Sequence, residues 1–84
     1  MAKVTVYTTQ PCARCGNAKA LLAQRGVPFD EVNLSKDPVG RAELARRTGL
    51  MTFPQIVVGD ETLGGLDDLR QAAENGRLSR LLAA

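Results

Sequence analysis

Hydrophobic and polar residues alternate over Val4-Thr5-Val6-Tyr7, a β-branched and aromatic run that Gln10-Pro11 brings to an end. A period of two in such residues predicts a strand. From about Cys15 to Arg25 the period lengthens: Ala18, Leu21, Leu22 and Arg25 recur at helical spacing, Lys19 and Gln24 point outward, and Gly26 supplies a C-terminal stop. Pro28 forces extended backbone, and Phe29 to Leu34 alternates again, which predicts a second strand. Residues 4–34 have the length of one βαβ unit, so the two strands should lie parallel.

Ser35-Lys36-Asp37-Pro38 is turn chemistry with a proline near a helix start. A short helix is expected from Arg41 to Thr48, carrying Ala42, Leu44 and Ala45 among charges before Gly49. Gln55–Val58 and Glu61–Leu63 flank Gly59-Asp60, a two-residue connection that makes them antiparallel neighbours. Beyond Gly64-Gly65, Asp67 or Asp68 is placed to cap a last helix reaching about Asn75-Gly76, with Leu66, Leu69, Ala72 and Ala73 inward. Leu78, Leu81 and Leu82 are expected to fold back as a final turn. The order βαβαββα predicts an α/β fold, one four-stranded mixed sheet covered by about three helices, uninterrupted by repeats or linkers.

Composition narrows the function. Eighty-four residues suit a single domain, 1–84, since halves of about 40 residues could not bury a core unaided. With 44% hydrophobic and 24% charged residues, the chain should fold rather than remain disordered. Eleven Lys/Arg against nine Asp/Glu leave a net charge of +2 spread along the chain, and only Tyr7, Phe29 and Phe53 could stack on bases, so no nucleic-acid partner is expected. No apolar run approaches the roughly 18 residues of a membrane span, and Met1-Ala2-Lys3-Val4 leads at once into a strand pattern. The expectation is a cytoplasmic monomer without a membrane partner. No histidine and only two cysteines exclude a mononuclear Cys/His zinc site within one chain, so no metal site is expected, and they exclude His-dependent catalysis.

What remains is the pair of thiols in Cys12-Ala13-Arg14-Cys15, where the first strand gives way to helix. Unpaired N–H groups and the macrodipole at a helix start stabilise an anion and lower a thiol pKa below about 8.5. Arg14 adds a fixed positive charge. A lowering of about 2 units would raise the thiolate fraction at pH 7 from about 3% to about three quarters. Cys15, one turn further on and more shielded, lies close enough to close a disulfide and would act as the resolving thiol. The chemistry expected is attack by Cys12 on a substrate disulfide, then release of the mixed disulfide by Cys15 or a small thiol. A zinc site shared by two chains, a structural staple and two inert cysteines are the competing readings of the same spacing.

Tyr7-Thr8, Cys12-x-x-Cys15, Thr52-Phe53-Pro54 before a strand and Gly64-Gly65-Leu66-Asp67-Asp68 before the last helix together resemble a glutaredoxin over nearly the whole chain. The resemblance implies a minimal thioredoxin fold with sheet order 2-1-3-4, strand three antiparallel to strand one, and a cis peptide bond before Pro54. A cis bond there would leave the Phe53 backbone free to pair with an extended thiol peptide beside Cys12. It further implies that Leu66 and Asp67, with Gly65 and Asp68 around them, bind the γ-glutamyl arm of glutathione, and that Arg41 meets the glycyl carboxylate. Helix capping accounts for the same two aspartates. Ala13 and Arg14 stand where many glutaredoxins have Pro-Tyr, and Thr9 where a lysine is frequent; Arg14 is placed to restore that positive charge as a substrate contact.

The leading expectation is thus a thiol-disulfide oxidoreductase that reduces protein disulfides and glutathione mixed disulfides. It would hold no permanent cofactor and would be regenerated by glutathione or another low-molecular-weight thiol. A second expectation keeps the chemistry but takes electrons from thioredoxin reductase for ribonucleotide reductase. A third, from another class, is an iron–sulfur carrier in which Cys12 thiolates of two chains and two external thiols hold a [2Fe–2S] cluster.

Overall fold

The computed structural model describes residues 2–84. Its elements run β1 (Val4–Thr8), α1 (Ala13–Gln24), β2 (Asp30–Asn33), α2 (Pro38–Thr48), β3 (Gln55–Val58), β4 (Glu61–Leu63), α3 (Leu66–Asn75) and α4 (Arg77–Ala83). The four strands form one sheet in the order β2-β1-β3-β4. β2 is parallel to β1, while β3 is antiparallel to both β1 and β4. Order and directions agree with what the sequence and its family resemblance implied.

Alternation along β1 is strict. Val4, Val6 and Thr8 are buried, while Thr5 and Tyr7 are only partly covered on the opposite face. The register places Val4 opposite Val58 and Val6 opposite Ile56, and sets Leu63 beside Ile56, so one face of the sheet presents a continuous aliphatic surface. Ala18 and Leu22 of α1, Leu66, Leu69 and Ala72 of α3, and Leu78 of α4 close over it. Burying that apolar area is the main term that holds the elements together.

Several expectations are corrected. Four helices are present among the described residues, because Leu78, Leu81 and Leu82 belong to a seven-residue helix rather than a turn. Gly76 lies between the last two helices with φ of 85°, so the chain turns sharply and Leu78 reaches the core. α2 begins three residues before Arg41: Asp37 accepts the Gly40 N–H at 2.8 Å as N-cap, and Pro38 fills the first helical position. Arg25 is the exposed C-terminal cap of α1, whose buried face is Cys15, Ala18 and Leu22. In β2 the alternation of sequence does not become an alternation of burial. All four residues are exposed, Val32 included, because the strand lies at the sheet edge and only its flanks, Phe29 and Leu34, pack inward.

Leu22 is fully buried at the centre of the aliphatic layer. Leu22→Ala is expected to lower the unfolding free energy by about 2–5 kcal/mol in urea titration. Met51→Ala, at a side chain 84% exposed, should change it by less than about 0.5 kcal/mol.

Candidate active site

Tyr7 pairs with Gln55 and Ile56 with Leu63, so three segments leave the sheet at one end. These are the loop 9–12 after β1, the segment 52–54 before β3, and Gly64-Gly65 after β4. The parallel partner of β1 adds the 34–37 turn to the same end, since Thr8 pairs with Asn33. The starts of α1, α2 and α3 therefore converge where the conspicuous sequence motifs lie.

Cys12 is the N-cap residue of α1, with extended backbone, and its sulfur accepts the backbone N–H of Cys15 at 3.0 Å. Sulfur thus takes the place that a serine or aspartate oxygen usually fills at a helix start. The two cysteines form a disulfide with their Cα atoms 5.3 Å apart. They differ in access: Cys12 is partly exposed, whereas Cys15 is 3% exposed beneath the first turn.

Arg14 reaches across to α3 and pairs with Asp67 at 3.2 Å; Asp67 also meets Arg70 at 3.7 Å. All three side chains are more than half exposed, so these pairs contribute little to stability. The aspartates do not cap α3, contrary to expectation. Its N-cap is Gly65, without a side-chain cap bond, and Asp68 instead reaches back to accept the Gly64 N–H at 3.2 Å. Position 64 is crowded: a Cβ there would lie 3.0 Å from Leu50 Cδ1 and 3.1 Å from Asp68 Oδ2, so those side chains would have to shift by a few tenths of an ångström to admit one. Both aspartates sit in the first turn of α3, where the helix dipole favours negative charge. Leu66 is buried, so only its backbone can face a ligand.

The Phe53-Pro54 bond is cis, as the resemblance implied, and so is Gln10-Pro11, which the sequence did not signal. Pro54 is fully buried and Thr52 exposed. The segment is braced from below by Gln55, whose Nε2 donates to the carbonyls of Leu50 at 3.1 Å and Thr52 at 3.0 Å. Among the described residues, the Phe53 backbone takes no part in the loop hydrogen bonds. Arg41 and Phe53 line one cavity of about 280 Å³, and the Nη1 of Arg41 donates to the carbonyls of Leu34 at 2.6 Å and Ser35 at 3.0 Å.

A polar cluster that sequence reasoning missed lies on the other side of the cysteines. Thr8 Oγ1 donates to Glu31 Oε2 at 2.8 Å, and Lys19 Nζ donates to Glu31 Oε1 at 3.0 Å and Oε2 at 3.2 Å. The available signal was the position of Lys19, four residues after Cys15 on α1, together with a strand alternation that aims Glu31 at the α1 face.

A helix-capping sulfur in a disulfide with a buried second cysteine, on a four-stranded sheet of order 2-1-3-4, defines a thioredoxin-fold thiol-disulfide oxidoreductase. Residues 4–63 match the family model described as glutaredoxin. A glutaredoxin of Pseudomonas aeruginosa is 45% identical over the full length of both chains. Glutaredoxin 3 of Escherichia coli K12 is 40% identical, covering 98% of this chain and 99% of that one. The solution structure of a glutaredoxin from Brucella melitensis superposes with a TM-score of 0.84 at 45% identity, covering 98% of this chain and 89% of that one. A buckwheat glutaredoxin crystallised as its glutathione complex gives a TM-score of 0.85 at 26% identity, covering 98% and 77%. The chain belongs to the glutaredoxin family.

The Thr8 hydroxyl first, and the Lys19 hydrogen bonds second, hold the Glu31 carboxyl below its ordinary value of 4.5; partial burial opposes this and the Lys19 charge adds to it. A carboxyl lowered on folding contributes stability above its unfolded value and loses that contribution as pH falls through the folded one. The stability difference between the wild type and Glu31→Gln should therefore be largest near neutrality. It should shrink progressively below about pH 4.5, as read from urea midpoints across the acid range.

Proposed function

We propose that Cys12 is the attacking thiol and Cys15 the resolving thiol of an enzyme that reduces protein disulfides and glutathione mixed disulfides. The observation that carries this reading is the N-cap position of Cys12, partly exposed and with the Cys15 N–H on its sulfur, above a Cys15 that is buried. In the reduced enzyme the same N–H and the α1 macrodipole favour the Cys12 thiolate. The thiolate attacks one sulfur of the substrate disulfide, forms a mixed disulfide, and expels the other sulfur as a thiolate that takes up a proton. Cys15 loses its proton and attacks Cys12 Sγ, releasing the second substrate thiolate and leaving the Cys12–Cys15 disulfide. Two electrons have passed to the substrate. Two glutathione molecules restore the dithiol in the reverse sense, the first joining Cys12 and the second leaving with it as glutathione disulfide.

Glutathione is the reductant in this reading, a role supported by the relative solved in its glutathione complex; another low-molecular-weight thiol could serve in its place. Its cysteinyl backbone pairs with Phe53 beside the cis Pro54, as an added strand. Its γ-glutamyl carboxylate meets the free N–H groups of Leu66 and Asp67 beyond Gly65, and its ammonium meets the carboxylate of Asp67. Arg14 holds Asp67 in place through their ion pair, while Asp68 holds Gly64. Arg41 offers its remaining donors to the glycyl carboxylate at the far end of the groove, near Thr52. The enzyme acts as a monomer on disulfide-bearing proteins, and a cytoplasmic setting, where thiols are kept reduced, suits that task.

Cys12→Ser should abolish disulfide reduction, and activity surviving that change would overturn the assignment. Cys15→Ser should retain turnover of glutathione mixed disulfides, because a second glutathione can release the first, yet lose most reduction of protein disulfides. Asp67→Ala should raise the KM for glutathione by about tenfold, the loss of one charge-assisted contact, with little change in kcat. Supplying electrons through glutathione with its reductase, or through thioredoxin reductase, separates the donors: the first alone should sustain turnover.

A further inference from the structure

Thr8, Cys12, Cys15, Lys19 and Glu31 line one cavity of about 500 Å³. The two cysteines therefore line the same open cleft as a complete ion pair, whose effect on a sulfur is the modest one of charges close to solvent. Lys19 lies one turn beyond Cys15 on α1, its ammonium against both oxygens of Glu31. Thr8, buried at the end of β1, donates its hydroxyl to the same carboxylate and fixes it from the sheet side. The loop residues Thr9, Gln10 and Pro11 that complete this side carry no charge. On the opposite side of Cys12 the nearest cation on α1, Arg14, is already paired with Asp67 of α3.

We propose that Glu31 is a positioning residue for the redox reaction: by holding the Lys19 ammonium in a neutral pair, it limits the stabilisation of the Cys12 thiolate and sets the balance between dithiol and disulfide. The physical asymmetry is simple. The disulfide carries no charge, whereas its two-electron reduction at neutral pH yields a Cys12 thiolate and a Cys15 thiol. An unbalanced ammonium in the cavity stabilises only the reduced state, and an unbalanced carboxylate destabilises only that state. This inference rests on the reading that Cys12 is the thiolate-bearing sulfur.

The test compares Glu31→Gln, Lys19→Met and the double variant. Glutamine keeps an acceptor for Thr8 while removing the charge. Two quantities are measured: the ultraviolet absorbance of the Cys12 thiolate against pH in the reduced proteins, and the dithiol–disulfide equilibrium in glutathione buffers of defined ratio. Glu31→Gln should raise both the thiolate-to-thiol ratio and the dithiol-to-disulfide ratio by about threefold, and Lys19→Met should lower both by about threefold. The double variant should return close to the wild type. A merely structural ion pair would move the two single variants in the same direction or leave both ratios unchanged, and either result overturns the proposal. Should Glu31→Gln fail to fold, Lys19→Met alone still decides it: a thiolate ratio and a dithiol ratio that do not fall together overturn the proposal. A wild-type Cys12 titrating at the ordinary thiol value would sink the reading beneath this inference. A lowered value indifferent to residues 19 and 31 would sink this inference alone.

Discussion

β1 is hydrogen-bonded along both edges, to β2 in parallel and to β3 antiparallel, and this double pairing decides where every functional segment emerges. A parallel neighbour finishes at the same end as β1, and an antiparallel neighbour begins there. The cysteine loop, the cis-proline segment and the starts of α1 and α2 are brought together by backbone register before any side chain contributes. β4 returns from β3 to the same end and delivers Gly64-Gly65 and the start of α3. Slipping the β1–β3 register by one residue would turn Ile56 and Val58 away from the core. Core packing and site assembly therefore depend on one alignment, in which Val6 faces Ile56 and Tyr7 faces Gln55.

Much of this was legible in the chain because neighbours in sequence carried it. Val4, Val6 and Thr8 alternate, Gly59-Asp60 closes a hairpin, and Gly49, with φ of 77°, ends α2 in the left-handed conformation that glycine accepts most readily. The spacing of Cys12 and Cys15 and the motifs at 52–54 and 64–68 pointed to segments that the sheet brings out at one end. What was not legible depends on distance along the chain or on competition for space. Thr8 and Glu31 are separated by 23 positions, and the strand alternation that aims Glu31 at α1 does not by itself reveal which partners it meets there. Asp67 and Asp68 looked like caps, but their carboxylates are taken by Arg14 and by the Gly64 N–H. Arg25 falls at a helical interval from Leu22, yet the helix has ended before its side chain could be covered.

Charge around the disulfide is arranged as two separate ion pairs, Arg14 with Asp67 towards α3 and Lys19 with Glu31 towards β2. Cys12 caps α1, and the positive group in contact with its sulfur is the backbone N–H of Cys15 at the helix start. In the proposed reaction the helix start, rather than any single basic side chain, is what favours the Cys12 thiolate. In the proposed function the two pairs have separate tasks, Arg14–Asp67 in ligand recognition and Lys19–Glu31 in the balance of the sulfurs.

The surroundings of Cys12 are low and open. Pro11, Ala13 and Arg14, its neighbours along the chain, are all exposed, and Cys12 is itself partly exposed rather than at the bottom of a shaft. A recessed centre would sieve its clients by size, admitting a tripeptide and turning away anything folded. Under the proposed function, a bulky globule would meet no more steric obstruction at so open a sulfur than a short peptide, and how far a client's own disulfide protrudes would separate good clients from poor ones.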